Sequence, residues 1–291
     1  LKKRGKGKNL LTKVIIYIYN KNTMLELCGR AKINLTLSVV GTKGGKHLID
    51  SVFYPVELSD EGRAERANDV EVIYTDGRTY ENDTAVRTAR LIREKYHTGG
   101  MRLVIKKGIP ERSGLGGSSV DAGIAARAMK ELYSLPEIDV DLLLSVGSDA
   151  PYFYKGGVCR VRGLGEDVER LEGFPELCGA ILVPSGGVDT GECYSLFDRI
   201  GGENGSTEEF LSEVKKGNVY PFNALQRSGE VLNGDVRRGL EVLSACGFVS
   251  CMTGSGAATF GLTDKETYES KMKKLTERAK GFSVYPMEGE R

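Results

Sequence analysis

A chain of 291 residues exceeds the roughly 100 to 200 residues of one typical domain, so two domains are expected. Hydrophobic residues make up 40% and charged residues 28%, a globular balance, and the apolar runs stop well short of the ~20 residues that a helical membrane span requires. The formal net charge is +1, yet residues 1–23 carry seven Lys or Arg and no acid, which leaves the rest of the chain at −6. A body of that sign argues against nucleic acid as a partner, so any anionic ligand must be held by local geometry.

The opening stretch, LKKRGKGKNLLTKVIIYIYNKNT, has the positive start and short apolar part of a signal peptide, but Lys13 interrupts the apolar part and no small-x-small cleavage site follows. Residues 1–23 are therefore expected to be upstream or vector-derived sequence, with the fold starting at Met24. From there strand and helix signals alternate. Ile33, Leu35 and Leu37 alternate with polar neighbours, as do Val70, Val72 and Tyr74, which predicts strands of a half-exposed sheet. The glycine-rich turn GTKGGKH lies between them. Asn82 is placed to cap a helix through about Tyr96, with Val86, Ala89, Ile92 and Arg93 at helical spacing, before HTGG breaks it. MRLVI predicts another strand.

The stretch GIPERSGLGGSSVDAGIAARAMKELY is the most informative. Its glycines 114, 116 and 117 lead into a helix whose apolar positions Val120, Ile124, Ala128 and Leu132 recur every fourth residue. Ser118, with Asp121 three residues on, predicts a weak capping box. GSDAPYFYKGG at 147–157 reads as a second glycine-bounded loop, and a composition shift near Gly173-Phe174-Pro175 marks the domain boundary, giving domains over 24–174 and 175–291. Beyond it come a buried strand AILVPS, a helix opened by the capping box at 206–209, and a helix from about Gly229 to Cys246. Two strands around a glycine turn in FVSCMTGSGAATFGL, a helix over 264–280 and a last strand FSVYPM complete the chain. The order suggests one α+β domain after another.

Six cysteines show no C-x-x-C pair and only two histidines exist, which excludes a readable zinc framework or disulfide scaffold and fits a reducing, cytoplasmic compartment. All six are expected to be free and buried, packing as small hydrophobes; Cys251, beside a glycine-rich segment, is singled out.

A lone GLGGSS before a helix is as well explained by a tight turn as by a ligand. Its position gives it a second meaning. The first N–H groups of the helix are unsatisfied and the macrodipole adds about half a positive charge there, so side-chain-free glycines would let a polyphosphate approach the backbone. No Lys-Ser or Lys-Thr follows the glycines and the pattern is not G-x-G-x-x-G, which disfavours a Walker loop and a Rossmann site. Something else must supply a cation and an acid–base group. Lys32 in AKINL and Asp149 in GSDAP are the candidates, each in a strand-to-loop segment where a side chain can be aimed at a cleft; taken singly, each is as well explained as an ordinary solvated charge.

AKINLTLSVVG, IPERSGLGGSSVDA, GSDAPYFYKGG and MTGSGAATFGL stand in the order and spacing of the GHMP small-molecule kinases, which include galactokinase, homoserine kinase, mevalonate kinase and phosphomevalonate kinase. From about Met24 to its end the chain resembles that family. KINL at 32–35, the His47 segment, GLGED, PSGGVDTGECY and FNALQ look most like the branch that phosphorylates 4-diphosphocytidyl-2-C-methyl-D-erythritol on the methylerythritol phosphate route to isoprenoid precursors. The resemblance implies a two-domain α+β GHMP kinase fold, ribosomal-protein-S5-domain-2-like in its N-terminal half and ferredoxin-like in its C-terminal half, with the active site in the cleft. It implies ATP and Mg2+ as cofactors and a cytidine-diphosphate-linked methylerythritol as partner substrate.

Carried over by position, Asp149 matches the catalytic aspartate, accepting the hydroxyl proton or orienting the hydroxyl, and Lys32 its partner, offsetting charge on the transferred phosphoryl. Lys107, Gly114, Leu115, Gly116, Gly117, Ser118 and Ser119 match the ATP site. Asn34, His47, Thr190, Tyr194, Gly254, Ser255 and Gly256 match the acceptor side. The resemblance assigns no metal ligand. Ser118 stands at a family glycine position and Val120 at a serine, which affects a phosphate or magnesium contact, and Lys46 replaces the tyrosine of the branch's Gly-Tyr-His. Two alternatives stay open: a GHMP kinase for another small alcohol such as homoserine or mevalonate, and a non-catalytic binding protein of the same fold.

Overall fold

The computed structural model describes residues 16–17, 24–80 and 82–288. A short strand β1 (Ile16–Tyr17) pairs with β2 (Leu25–Lys43), which turns back at Gly44 and Gly45 as β3 (Lys46–Ala67). Both turn glycines have positive φ, as the tight reversal requires. The remainder of the expectation for residues 1–23 lies outside the described residues. β4 (Glu71–Tyr74), α1 (Thr84–Tyr96) and β5 (Gly100–Lys106) follow, then α2 (Gly117–Tyr133), α3 (Val140–Val146) and α4 (Ala150–Lys155). β6 (Cys159–Gly163) and β7 (Asp167–Arg170) close the first half. The second half runs β8 (Cys178–Pro184), α5 (Thr190–Ile200), α6 (Thr207–Val214), β9 (Phe222–Asn223), α7 (Gln226–Leu232) and α8 (Gly234–Ala245). It ends with β10 (Val249–Met252), β11 (Thr259–Thr263), α9 (Tyr268–Arg278) and β12 (Phe282–Met287).

The strands form two sheets. The larger has the order β1-β2-β3-β5-β4, with β6 on β3, β7 on β6 and β9 on β2; the smaller is β10-β11-β8-β12, all antiparallel. This is a two-domain α+β fold. The second half reaches back into the first sheet through β9, which runs parallel to β2 at Thr36 and Leu37.

Helix α2 lies on the β2–β3 hairpin because two glycines clear a path for it. A Cβ at Gly62 would stand 2.7 Å from Ile124 Cγ2, and one at Gly29 would run into Val120. Val120 and Ile124 are buried in the principal core, each worth about 1.5–3 kcal/mol in area removed from water. That packing fixes where the N-terminus of α2 points.

Several expectations need correction. Residues 31–39 of β2 are buried on both faces, not half-exposed. α2 covers one face; the Gly205–Thr207 region reaches the other, where Thr36 Oγ1 meets Thr207 Oγ1 at 3.2 Å and Ser38 donates to the Gly205 carbonyl. The α1 cap is Asp83, whose carboxylate accepts from the Val86 N–H, rather than Asn82. Ser118 is not a cap: α2 starts at Gly117 after the left-handed Gly116, with no side-chain cap, and Asp121 is drawn to Lys107 instead. GSDAPYFYKGG is largely helix α4, with Asp149 at its N-cap position. The predicted helix over 229–246 breaks at Asn233, which caps α8 through the Asp235 N–H. The helix predicted from Asp264 starts at Tyr268, because the Asp264 carboxylate holds the Thr267 N–H and hydroxyl in a turn before it. Among the described residues no helix is long and apolar enough to cross a membrane.

Candidate active site

A cleft of about 940 Å³ is bounded by β2, the loop into α2, the start of α5 and the loop between β10 and β11. Its floor is a buried polar cluster on β2. Lys32 is 3% exposed, and its ammonium donates to Asn34 Oδ1 at 2.7 Å and to the Gly114 carbonyl at 2.8 Å. Asp149 Oδ2 stands 3.8 Å away. Burial pushes the Lys32 ammonium down from its usual range, and the Asp149 carboxylate opposes that. Asn34 is held in turn: its N–H donates to Thr253 Oγ1 at 3.0 Å, and its amide to Ser51 Oγ at 2.9 Å. Asp149 sits on the first turn of α4 and makes no cap bond of its own. Its carboxylate is thereby left to the cleft.

One wall is the loop into α2. Gly114, Gly116, Gly117, Ser118 and Ser119 line the cleft. The left-handed Gly116, with φ +88, would place a Cβ 2.6 Å from Phe153 Cε2. The uncapped first turn of α2 presents backbone N–H groups and the positive end of its dipole to the space. Leu115 differs from the expectation. Its side chain is fully buried in the core, and its contribution is a carbonyl that accepts from the Lys32 N–H at 3.2 Å.

Lys107 also lines the cleft, but its ammonium is held between two buried carboxylates, Asp60 Oδ2 at 2.6 Å and Asp121 Oδ2 at 2.7 Å, and donates to the Gly117 carbonyl at 3.3 Å. Burial works against the Lys107 charge, yet the two carboxylates outweigh it and raise its proton affinity. Asp60 accepts from the Gly108 and Ile109 N–H groups through its other oxygen. Burial pushes the Asp121 carboxyl up to about 7 against the pull of Lys107, and Asp121 Oδ1 finds no partner among the described residues.

The opposite wall comes from the second half. A Cβ at Gly254 would meet the Gly114 carbonyl at 2.9 Å, so the two glycine loops touch backbone to backbone, and Ala258 N–H donates to the Ser113 carbonyl. Asn223, in the FNALQ segment, anchors this loop through the Met252 and Gly254 carbonyls at 2.8 Å each. Gly254 and Ser255 line the cleft, while Gly256 lies behind them and does not. Ser255 Oγ meets Thr190 Oγ1 at 3.0 Å, at the start of α5. One turn on, Tyr194 stacks on His47 from β3, with ring centroids 4.6 Å apart and planes at 25°. Phe197 meets the same imidazole edge-on, and Asp198 Oδ1 lies 2.7 Å from its Nε2. Lys46 lines the cleft as an exposed side chain at the hairpin turn.

Residues 83–157, which carry the α2 loop and Asp149, match the family model for the GHMP kinases N terminal domain. The 4-diphosphocytidyl-2-C-methyl-D-erythritol kinase of Deinococcus radiodurans is 33% identical over 267 residues, 87% of this chain and 89% of that one. The chain belongs to the 4-diphosphocytidyl-2-C-methyl-D-erythritol kinase family. The enzyme of the same name from Clostridium botulinum strain Eklund 17B is 31% identical over 80% of this chain and 89% of its own. A crystal structure of 4-(cytidine 5'-diphospho)-2C-methyl-D-erythritol kinase superposes with TM-score 0.73 at 28% identity, covering 91% of this chain and all of that one. Homoserine kinase from Cytophaga hutchinsonii, at TM-score 0.64 and 19% identity over 94% of this chain and 96% of its own, shares the fold. This GHMP kinase is an ATP-dependent phosphotransferase by family.

Asp60, Ser51, Thr253, Asn223 and Asp198 escaped the reading of the sequence. Thr253 and Asn223 stood in the flagged segments MTGSGAATFGL and FNALQ, and Ser51 and Asp60 in the stretch that follows His47; Asp198 lay outside them. In strand or helix context no spacing distinguishes a buried or bridging polar residue from a solvated one.

Proposed function

We propose that this GHMP kinase transfers the γ-phosphoryl group of ATP to the 2-hydroxyl of 4-diphosphocytidyl-2-C-methyl-D-erythritol, on the methylerythritol phosphate route to isoprenoid precursors. The observation that carries the proposal is that one cleft holds the Lys32–Asp149 pair, the uncapped start of α2 and the His47–Tyr194 stack. These are a reaction centre, a triphosphate cradle and an aromatic recess for a base.

Phosphoryl transfer needs positioning and charge stabilisation more than covalent help from the protein. The backbone N–H groups at Gly117 to Ser119 hold the triphosphate. Asp149 orients the acceptor hydroxyl and takes its proton as the oxygen bonds to phosphorus and the bond to the ADP oxygen breaks. Lys32, fixed by Asn34 and the Gly114 carbonyl, directs its charge at the transferred phosphoryl. Gly254, Ser255 and Thr190 bound the acceptor side, with His47 and Tyr194 at its cytosine end.

Among the described residues no group of three or more His, Cys, Asp or Glu is arranged to hold a metal ion. Magnesium carried by a nucleotide needs only one or two protein oxygens beside the phosphates. The unpartnered Asp121 Oδ1 and the Ser119 hydroxyl, both on the first turns of α2 at the cleft, fit that need. Bound there, Mg2+ would neutralise phosphate charge.

We divide the chain at 174/175, in the segment between β7 and β8 where it passes from one sheet to the other. Six free cysteines support a reducing, cytoplasmic setting. ATP turnover with cytidine-diphosphate-linked methylerythritol, mevalonate and homoserine tests the function. Phosphorylation of the first alone is expected; phosphorylation of a simpler alcohol without response to the cytidine compound overturns the acceptor assignment.

A further inference from the structure

His47, at the start of β3 in the first half, packs against α5, and three residues of that helix enclose it. Tyr194 covers its face, Phe197 meets its edge, and Asp198 Oδ1 takes the Nε2 side at 2.7 Å. The imidazole is mostly buried, with 15% of its side chain exposed. A carboxylate has only acceptors to offer, so the Nε2 position must carry the hydrogen. In a neutral ring the other nitrogen, Nδ1, is then a bare acceptor. We infer that Asp198 is a positioning and specificity residue: by holding His47 in the Nε2–H tautomer it makes Nδ1 the acceptor that selects a cytosine amino group over a uracil carbonyl. The inference rests on the acceptor assignment above.

The chemistry of the two bases makes the selection directional. Cytosine presents an N4 amino donor where uracil presents the O4 acceptor. An Nδ1 lone pair bonds the first and faces another lone pair in the second. In the opposite tautomer Nδ1–H would meet O4 comfortably and would clash with the amino group. The choice between the two bases therefore lies with whichever group engages Nε2, and that group is on α5, outside the residues assigned to the site by sequence. The stack on Tyr194 is indifferent to this choice, since every base has a π face.

The chain has two histidines, which makes the tautomer directly observable. His97, in left-handed conformation at the end of α1, is replaceable by Asn, which tolerates that conformation. Long-range ¹H–¹⁵N spectra of the imidazole in His97→Asn protein, at a pH where the ring is neutral, are expected to show Nε2 protonated and Nδ1 bare. Adding Asp198→Ala is expected to give a mixture of tautomers. In parallel calorimetry, cytidine 5'-diphosphate affinity is expected to fall about tenfold in Asp198→Ala, the scale of one hydrogen bond, while uridine 5'-diphosphate and ATP affinities change little. An Nδ1–H ring in the otherwise native protein overturns the inference. So does an unchanged cytidine-to-uridine ratio in Asp198→Ala while cytidine binding persists. Failure of the native protein to bind cytidine 5'-diphosphate overturns the acceptor assignment together with the inference, whereas the outcomes in which cytidine binding persists overturn the inference alone.

Discussion

The Lys32 ammonium and the Asp149 carboxylate face each other at 3.8 Å, a distance at which charge acts without a short hydrogen bond. Nζ is instead secured by Asn34 and the Gly114 carbonyl. The lysine is thus held in place by groups that take no part in proton transfer, and Asp149 is left free to engage a hydroxyl. Asp149→Asn should therefore lower single-turnover phosphorylation by about a hundred- to ten-thousand-fold, the range of general-base contributions. ATP affinity by calorimetry should stay within a few-fold. Near-normal turnover would remove Asp149 from the chemistry.

The glycine loop divides into positions that support the fold and positions that face the ligand. Gly116→Val would drive its side chain into Phe153 from a left-handed backbone. Overpacking costs about 1–3 kcal/mol and the strained φ about 1–2 more. A lowered midpoint in urea denaturation is expected along with lost nucleotide binding, so this variant reports on the fold first. Gly117→Ala meets only ordinary contact, 3.4 Å to Ile109 Cγ2. It should gain up to about 1 kcal/mol of helix propensity with ATP binding retained.

Asp60 is fully buried and accepts from the Lys107 ammonium and two backbone N–H groups. Its truncation strands a buried cation and frees the turn that leads into the phosphate loop. Asp60→Ala is expected to cost about 3–5 kcal/mol in urea denaturation, the scale for breaking a buried ion pair. A loss under 1 kcal/mol would show that Asp121 alone satisfies Lys107.

Tyr194 stacks on His47 rather than standing open. Its phenol is pushed up by burial. Tyr194→Ala should weaken cytidine-substrate binding by about 1–3 kcal/mol, the range for base–aromatic stacking, with ATP binding unchanged. His47→Ala should weaken the same ligand selectively. Equal losses for ATP in either variant would place these rings outside the acceptor side.

Cys251, singled out from its neighbours in sequence, is buried, and burial pushes its thiol up to about 12; Cys159 and Cys193 are raised to about 11. Cys28 alone among the six is only partly buried. Because the thiolate is the reactive form, a thiol reagent at pH 8 should label Cys28 first in native protein and all six in urea, read by mass spectrometry. Early labelling of Cys251 would contradict this burial.

The motifs that name chemistry were legible because they are local. A glycine run before a helix, a lysine in AKINL and an aspartate before APYF keep their meaning within a dozen residues, and all of them reach one cleft. Element ends were less legible. Asp121, Asn233 and Asp264 each chose a partner that helical periodicity does not weigh: an ammonium across the loop, a neighbouring cap and a preceding turn.

What the sequence by itself determined was the α+β alternation, the glycine loops and the residues that carry charge into the cleft, since backbone propensity and turn chemistry are properties of neighbours in the chain. Only the tertiary structure decided which charges are neutralised and which are left for a ligand. Lys107 and Lys32 look alike in sequence; one is locked between Asp60 and Asp121, and the other is aimed at Asp149. The same holds for His47 and Asp198, 151 residues apart and 2.7 Å from each other. Pairings of that kind arise because burial makes an unmatched charge or donor costly, and burial is set by which distant segments pack together.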